Sequence, residues 1–353
     1  MGIKEVIVKK SRWDTFSTKN QPPKAMKINP KDDAFHGSFN FLDIEWWYFD
    51  AIFENGYSVH VGVRTFHTKH HGVVKLRIEL YTEGKTLVEA LQSDLFERFH
   101  FFRDVPQVNY RKDTLIAFDQ DYYQKTGLMR YHVRLHIDAH AVDLVFTGGV
   151  QGWKIETPDN SWVVALPTAE VTGTLTINHQ QIPVKGVGYH DHNWDYSIST
   201  AIKNQGWYWG RLTGELFNII WANTIQNPHT SSLLAVVSQK QQHATSEQEF
   251  FTVPQQHLSL TAKNFIMDHR RRIPTEFEFQ ITEHTSATGT PIKAHLLMKT
   301  KDVQHSRIFT AHYWRYHMLT TGTLEIGSKK ETFTNSPQIV EFLSFKQRKK
   351  TNK

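Results

Sequence analysis

The segment Gly188-Tyr189-His190-Asp191-His192-Asn193-Trp194-Asp195 carries the densest set of reactive side chains in the chain. On an extended backbone it places His190, His192 and Trp194 on one face and Tyr189, Asp191 and Asn193 on the other. Two imidazoles at i and i+2 can share a metal or a substrate, can satisfy a buried turn, or can supply an acid or base beside an aromatic wall. A His-x-His pair is two ligands only, and no downstream zinc-binding helix motif offers a third, so no metal is expected.

Glu45-Trp46-Trp47-Tyr48-Phe49-Asp50 poses a related choice. Alternation puts Glu45, Trp47 and Phe49 on one side and Trp46, Tyr48 and Asp50 on the other. Carboxylates set among aromatic rings have raised pKa values, which suits a general acid near neutral pH, and this makes Glu45 and Asp50 candidates beside Asp191. Pairing with Arg64 or Arg211 is the plainer alternative. In Gly206-Trp207-Tyr208-Trp209-Gly210-Arg211 the two indoles share a strand face, while Tyr208 and Arg211 need not. Such a wall is either core or a binding surface, since a desolvated indole face stabilises a cation by ~0.5 to 2 kcal/mol. His312-Tyr313-Trp314-Arg315-Tyr316-His317 alternates two polar-aromatic faces, as a cavity wall would. The chain has no Gly-rich phosphate loop, nucleophile elbow, kinase signature or EF-hand loop, which disfavours nucleotide and serine-hydrolase chemistry.

The elements that must position these residues are strands. Trp46 to Phe53 and Tyr57 to Arg64 are β-rich runs joined through Asn55-Gly56, the strongest short hairpin signal. Similar runs recur, among them Val73 to Tyr81, Met129 to Asp138, Trp162 to Leu166, Val171 to Ile177, Phe217 to Ile225, Ile292 to Met298, Ile308 to Leu319 and Ile339 to Phe345. So many strands without intervening helices predict an all-β chain of antiparallel barrels or sandwiches. With 353 residues, two β-domains are expected: 35–200 and 201–345, after an extended lead-in at 1–34 with little core of its own and before a basic tail at 346–353.

Composition narrows the function classes. Zero cysteines exclude disulfide scaffolds, thiolate catalysis and Cys-ligated metal sites. Most of the net charge of +6 sits in Lys346, Arg348, Lys349, Lys350 and Lys353, and beyond Arg270-Arg271-Arg272 no basic stripe follows, so no nucleic-acid partner is expected. No apolar run reaches the ~18 to 20 residues of a spanning helix, and the charged start has no signal-like apolar region. A cytoplasmic chain is expected, with the basic tail as a means of peripheral membrane contact.

Taken together, the Glu45–Asp50, Gly188–Trp194 and Trp207–Arg211 motifs, in that order and spacing, resemble the carotenoid 1,2-hydratase (hydroxyneurosporene synthase) and lipocalin-like superfamily, which includes fungal Diels–Alder cyclases. The resemblance covers about residues 35 to 345. It implies two lipocalin-like β-barrel domains packed side by side, a ligand site at or near their junction, an apolar isoprenoid or polyene ligand, and no cofactor. In the hydratases a His-x-Trp pair and a following Tyr-x-Asp pair are associated with acid-catalysed hydration of a terminal double bond. His192-Asn193-Trp194 matches the first pair, whereas Trp221-Ala222-Asn223 departs from the second at both positions, and Asn223 cannot donate a proton as a carboxylic acid does.

Hydration of such an alkene needs an acid, a stabiliser for the cation and a base for the attacking water. The catalytic candidates are therefore His190, Asp191, His192, Glu45 and Asp50, with His192 as base and a carboxyl as acid. The ligand-binding candidates are Trp47, Tyr48, Tyr189, Trp194, Trp207, Trp209, Arg211, Trp221, Asn223, Tyr313 and Arg315. A cofactor-free hydratase, isomerase or cyclase is the leading expectation; a carrier that binds an apolar ligand without turnover, and a pericyclase that needs no titrating acid, are the alternatives.

Overall fold

The computed structural model describes residues 24–37, 43–69, 71–156, 162–196, 205–227, 230–240, 250–286, 288–308 and 311–345. The expected boundary near residue 200, the basic tail and the first part of the lead-in lie outside them. The first sheet holds thirteen strands: β1 (Lys24–Lys27), β2 (Asp43–Phe53), β3 (Tyr57–Thr68), β4 (His71–Thr82), β5 (Lys85–Leu95), β6 (Phe99–Phe101), β7 (Val108–Tyr110), β8 (Asp113–Phe118), β9 (Arg130–Ile137), β10 (His140–Gly148), β11 (Trp153–Glu156), β12 (Trp162–Ile177) and β13 (Gln180–Tyr196). The second holds nine: β14 (Gly206–Thr213), β15 (Phe217–Asn227), β16 (Thr230–Gln239), β17 (Phe250–Val253), β18 (Leu258–Asp268), β19 (Arg271–Thr285), β20 (Pro291–Ile308), β21 (Ala311–Ile326) and β22 (Lys329–Ser344). The described residues also contain the short helix α1 (Gln120–Thr126), capped by the Asp119 side chain and ended by Gly127 in the left-handed region. No helix among them is long and apolar enough to cross a membrane.

Most strands follow the two-residue period that one buried face requires. In β9, Tyr131, Val133, Leu135 and Ile137 are buried and alternate with more exposed polar residues; in β20, Ile292, Ala294, Leu296 and Met298 do the same. Strands at the junction break the rule because both their faces are covered. β15 is buried from Phe217 to Ile225, with apolar side chains facing both ways and only Asn218, Asn223 and Thr224 polar among them.

Three cores result. One fills the first barrel around Trp47, Phe49, Tyr131 and Phe146, and one fills the second around Trp221, Phe277, Trp314 and Phe342. The third lies in the seam between the sheets, where Tyr48, Trp153, Trp162 and Tyr189 meet Trp209, Ile220, Val236 and Ile339.

The β2–β3 hairpin forms as expected, with Gly56 at φ +86 in a turn that L side chains rarely adopt. Two expected strands, Trp162 to Leu166 and Val171 to Ile177, are one: β12 runs through with register shifts at Leu166, beside Pro167, whose missing N–H suits a bulge. Conversely, Ile308 to Leu319 divides between β20 and β21.

The lead-in differs from expectation from residue 24 onward. β1 pairs with β11, and Ile28, Asp33, Ala34 and Phe35 are buried. The Asn29 side chain caps a 3₁₀ turn at Pro30–Asp33, accepting from Lys31 N at 3.0 Å while Asp32 Oδ2 accepts from Asn29 N at 2.8 Å. That turn delivers Asp33 into the first barrel.

Candidate active site at the junction of the barrels

β13 is the dividing element. It lies between β2 and β12, with Asp191 opposite Tyr48 and Val164, and His192 opposite Trp47 and Val163. Gly188 lets it pack: a Cβ there would come 2.5 Å from the Val171 side chain and 2.6 Å from the Asp50 carbonyl oxygen.

The even-numbered face of β13 looks into the first barrel. His190 Nε2 is 3.0 Å from Asp33 Oδ2, His192 Nδ1 is 3.0 Å from the Asp33 carbonyl oxygen, and His192 Nε2 is 2.9 Å from Glu45 Oε1. Tyr131 donates to Asp33 Oδ2 at 2.6 Å, and the backbone N–H groups of His36 and Gly37 donate to the Glu45 carboxylate at 2.8 and 3.0 Å. Trp47 stacks on His192 at 4.3 Å, and the His36 ring lies flat on Trp194 at 3.6 Å. Burial pulls the His192 pKa down, but hydrogen bonds and charge from Asp33 and Glu45 outweigh it and hold it at about 9. Burial raises both carboxyls, yet His190 and His192 hold Asp33 well below the usual range, and His192 and His36 hold Glu45 at about 2. This is a clamped imidazolium between two carboxylates.

His190 and His192 do not share a metal site, since their Nε2 atoms face different carboxylates. His36, Glu45 and His192 do bring one ligand atom each within 4.8 Å of one another. The ion pair between Glu45 and His192 satisfies the same two groups.

The odd-numbered face of β13 looks into the seam. Asp191 Oδ2 accepts from the Tyr189 hydroxyl at 2.8 Å and from Trp162 Nε1 at 3.0 Å, while Oδ1 accepts from Asn193 Nδ2 at 3.2 Å. No cation pairs with it among the described residues. Burial therefore dominates and lifts its pKa to about 7, against the pull of the Tyr189 and Trp162 hydrogen bonds. Trp209 of β14 packs across from it, 5.0 Å from the Tyr189 ring and 5.8 Å from the Tyr48 ring, with its Nε1 buried and unpartnered.

Beside this acid lies a buried ion network that joins the sheets. Asp50 meets Arg211 Nη2 at 2.5 Å and Arg315 Nη2 at 3.3 Å; Arg315 Nη1 reaches the Tyr48 hydroxyl and, at 3.0 Å, Glu341. Glu341 also accepts from the Tyr313 hydroxyl at 2.5 Å. Burial would raise the Asp50 pKa, but the two guanidinium groups lower it below the ordinary carboxylate value.

The expected site residues thus fall into three places. Glu45, Trp47, His190, His192 and Trp194 belong to the first barrel's interior, while Tyr48, Asp50, Tyr189, Asp191, Trp207, Trp209, Arg211, Tyr313 and Arg315 gather in the seam. Arg211 shares the face of Trp207 and Trp209, and Tyr208 has the opposite one. Trp221 and Asn223 are the departures: they share the Tyr208 face, so Trp221 packs in the second barrel's core, away from Asp191. The proton-donor expectation is likewise corrected for Glu45 and Asp50, whose partners keep them ionised, and a base role for His192 meets an imidazole that already holds both protons.

Three residues escaped sequence reasoning. Asp33 sits in a Pro-Lys-Asp-Asp stretch that reads as loop, and Trp162 carries no flag beyond its strand. Glu341 had a signal: it interrupts the apolar run Ile339-Val340-Glu341-Phe342-Leu343, where a carboxylate needs a buried partner.

No family model matches the sequence. A curated relative, hydroxyneurosporene dehydrogenase of Chlorobaculum tepidum, is 24% identical over 247 residues, covering 55% of this chain. The match spans 61% of that relative's length, about three fifths. Among solved structures, a protein assigned as AttH from Nitrosomonas europaea superposes with a TM-score of 0.59 at 15% identity, covering 91% of this chain and 97% of the other. Kievitone hydratase from Nectria haematococca gives 0.54 at 12% identity over 90% and 93%. CghA gives 0.50 at 10% over 94% and 96%. These matches agree with the superfamily that the three sequence motifs resemble, and the fold is all-β, two-domain and lipocalin-like.

Proposed function

We propose that the protein is a cofactor-free enzyme that protonates a carbon–carbon double bond of an apolar, isoprenoid-type substrate in the seam between its barrels, leading to hydration or to isomerisation or cyclisation. The observation that carries this reading is Asp191: buried, hydrogen-bonded to Tyr189 and Trp162, unpaired with any cation among the described residues, and with burial lifting its pKa to about 7. The hydroxyneurosporene in the curated relative's name and the hydratase among the structural neighbours support the substrate class and the reaction type.

The step balances on one group. With two donors on Oδ2 and only the longer Asn193 contact on Oδ1, the proton rides on Oδ1 and passes to the alkene carbon, leaving a tertiary cation for the Trp209 indole to stabilise. Water attacks the cation and returns its surplus proton to the Asp191 carboxylate, which restores the acid. His192, on the other face of the strand, supports the scaffold rather than accepting that proton.

The test is mass spectrometry of purified protein incubated with acyclic isoprenoids. A product heavier by one water, absent with Asp191→Asn, is the expected result for hydration, and unchanged mass with new retention is expected for isomerisation or cyclisation. Ligand bound but recovered intact at every pH overturns the reading in favour of a carrier.

A further inference from the structure

On the opposite face of β21 from Arg315, at the end of the second barrel, the β18–β19 turn meets the β20–β21 hairpin. The His269 ring stacks on His305 at 3.6 Å, and His305 Nε2 lies 2.9 Å from His312 Nδ1. Arg307 stands opposite His312 in the register, and Arg271 stands opposite Asp268. The Asp268 carboxylate is already engaged, accepting from Trp314 Nε1 at 2.7 Å and lying 3.0 Å from His269 Nδ1. Arg271 consequently has its Nε and Nη1 atoms buried without a hydrogen-bond partner.

Leaving guanidinium N–H groups buried and unmatched costs several times what an ordinary exposed contact contributes. The arrangement also sets like charges together: besides burial, Arg271 and Arg307 both depress the His312 pKa, and Arg307 depresses that of Arg271. Packing alone gives no return for this. A ligand with two or more negative charges and oxygens on several sides would satisfy the free donors and relieve the repulsion at once.

We propose that Arg271, Arg307, His305 and His312 form a binding site for a phosphate-type dianion, separate from the seam. The end of β18 bears on the source: Ile266 and Met267 are 46% and 70% exposed close to Arg270 and Arg272, so the anion site adjoins an apolar, basic tip. A soluble phosphate monoester or diphosphate and a lipid phosphomonoester headgroup share this chemistry.

The experiment has two arms on the full chain. Calorimetric titration with inorganic pyrophosphate at low salt reads a soluble ligand, and co-sedimentation with phosphatidic acid against phosphatidylcholine vesicles reads a phosphomonoester headgroup. Saturable pyrophosphate binding that weakens about tenfold or more in Arg271→Gln and in Arg307→Gln supports the site with a soluble source. Phosphatidic acid binding lost in the same variants, without pyrophosphate binding, supports it with a lipid source. Pyrophosphate should also raise the melting temperature of the unaltered protein if the soluble source holds, a readout that does not depend on the variants folding. Neither ligand binding, or binding that both substitutions leave unchanged, overturns the proposal.

Discussion

Asp191 and His192 are adjacent in the chain, and their side chains leave β13 on opposite faces into two different buried environments. Asp191 meets a hydroxyl, an indole and an amide, and its pKa rises to about 7; His192 meets two carboxylates and its pKa rises to about 9. One strand therefore presents a carboxyl with a raised pKa to the seam and an imidazolium held by carboxylates to the first barrel. If Asp191 is the proton donor, turnover should fall as pH rises through about 7, and Asp191→Asn should lower the rate by ~10²- to 10⁴-fold. The same variant separates function from stability. Because the folded pKa lies above the unfolded one, ionised Asp191 costs stability above the unfolded value, so Asp191→Asn should raise the melting temperature more at pH 8 than at pH 5.

The His192 clamp makes the opposite prediction. Its folded pKa of about 9 exceeds the model-peptide value, so its contribution to stability is fully present below the unfolded pKa and is lost as pH rises through about 9. Denaturant unfolding measured from pH 6 to pH 10 should show a decline on the order of 3 kcal/mol across that window. In His192→Gln the decline should flatten; an unchanged slope would show that the cation is not held by Asp33 and Glu45.

Arg315 ties β21 of the second sheet to Asp50 and Tyr48 of the first and to Glu341 of β22. Arg315→Met removes the charge while keeping much of the volume, and it leaves Glu341 buried without a cation. A loss of about 3 to 5 kcal/mol in unfolding free energy is expected. Adding Glu341→Gln should recover part of it, since the second change removes the stranded charge, and a double-mutant cycle reads the coupling.

How much of this was legible in the sequence follows from the range of the forces involved. The period of two in β2 and β13 assigned Glu45, Trp47, His190 and His192 to one face and Tyr48, Asp50, Tyr189 and Asp191 to the other, because that period is set by the backbone itself. It could not say which carboxylates would meet cations. Asp50 and Arg315 are separated by 265 positions and meet only when the sheets pack, so both Asp50 and Glu45 looked like acids until their partners were in view. Asp33 was hidden for a related reason: its burial depends on β1 pairing with β11, more than a hundred positions along the chain. The same limit placed Trp221 with Trp207 and Trp209, since nearness in sequence does not say which face of β15 an indole takes.

That last distinction can be tested directly. Trp209 faces the seam, and Trp221 faces the second barrel, where it packs under Gly210 so closely that a Cβ on Gly210 would come 2.4 Å from the indole. Trp221→Leu should destabilise the protein by about 2 to 4 kcal/mol through the cavity it leaves, while the folded fraction keeps its turnover. Trp209→Leu should do the reverse in proportion, because the lost indole face no longer stabilises the cation proposed to form beside Asp191, which raises the barrier by roughly 1 to 2 kcal/mol. The measurement is kcat alongside unfolding free energy for both variants at one pH. Equal losses of turnover from the two would mean that the second barrel, rather than the seam, holds the substrate, and Asp191 would lose its claim to be the donor.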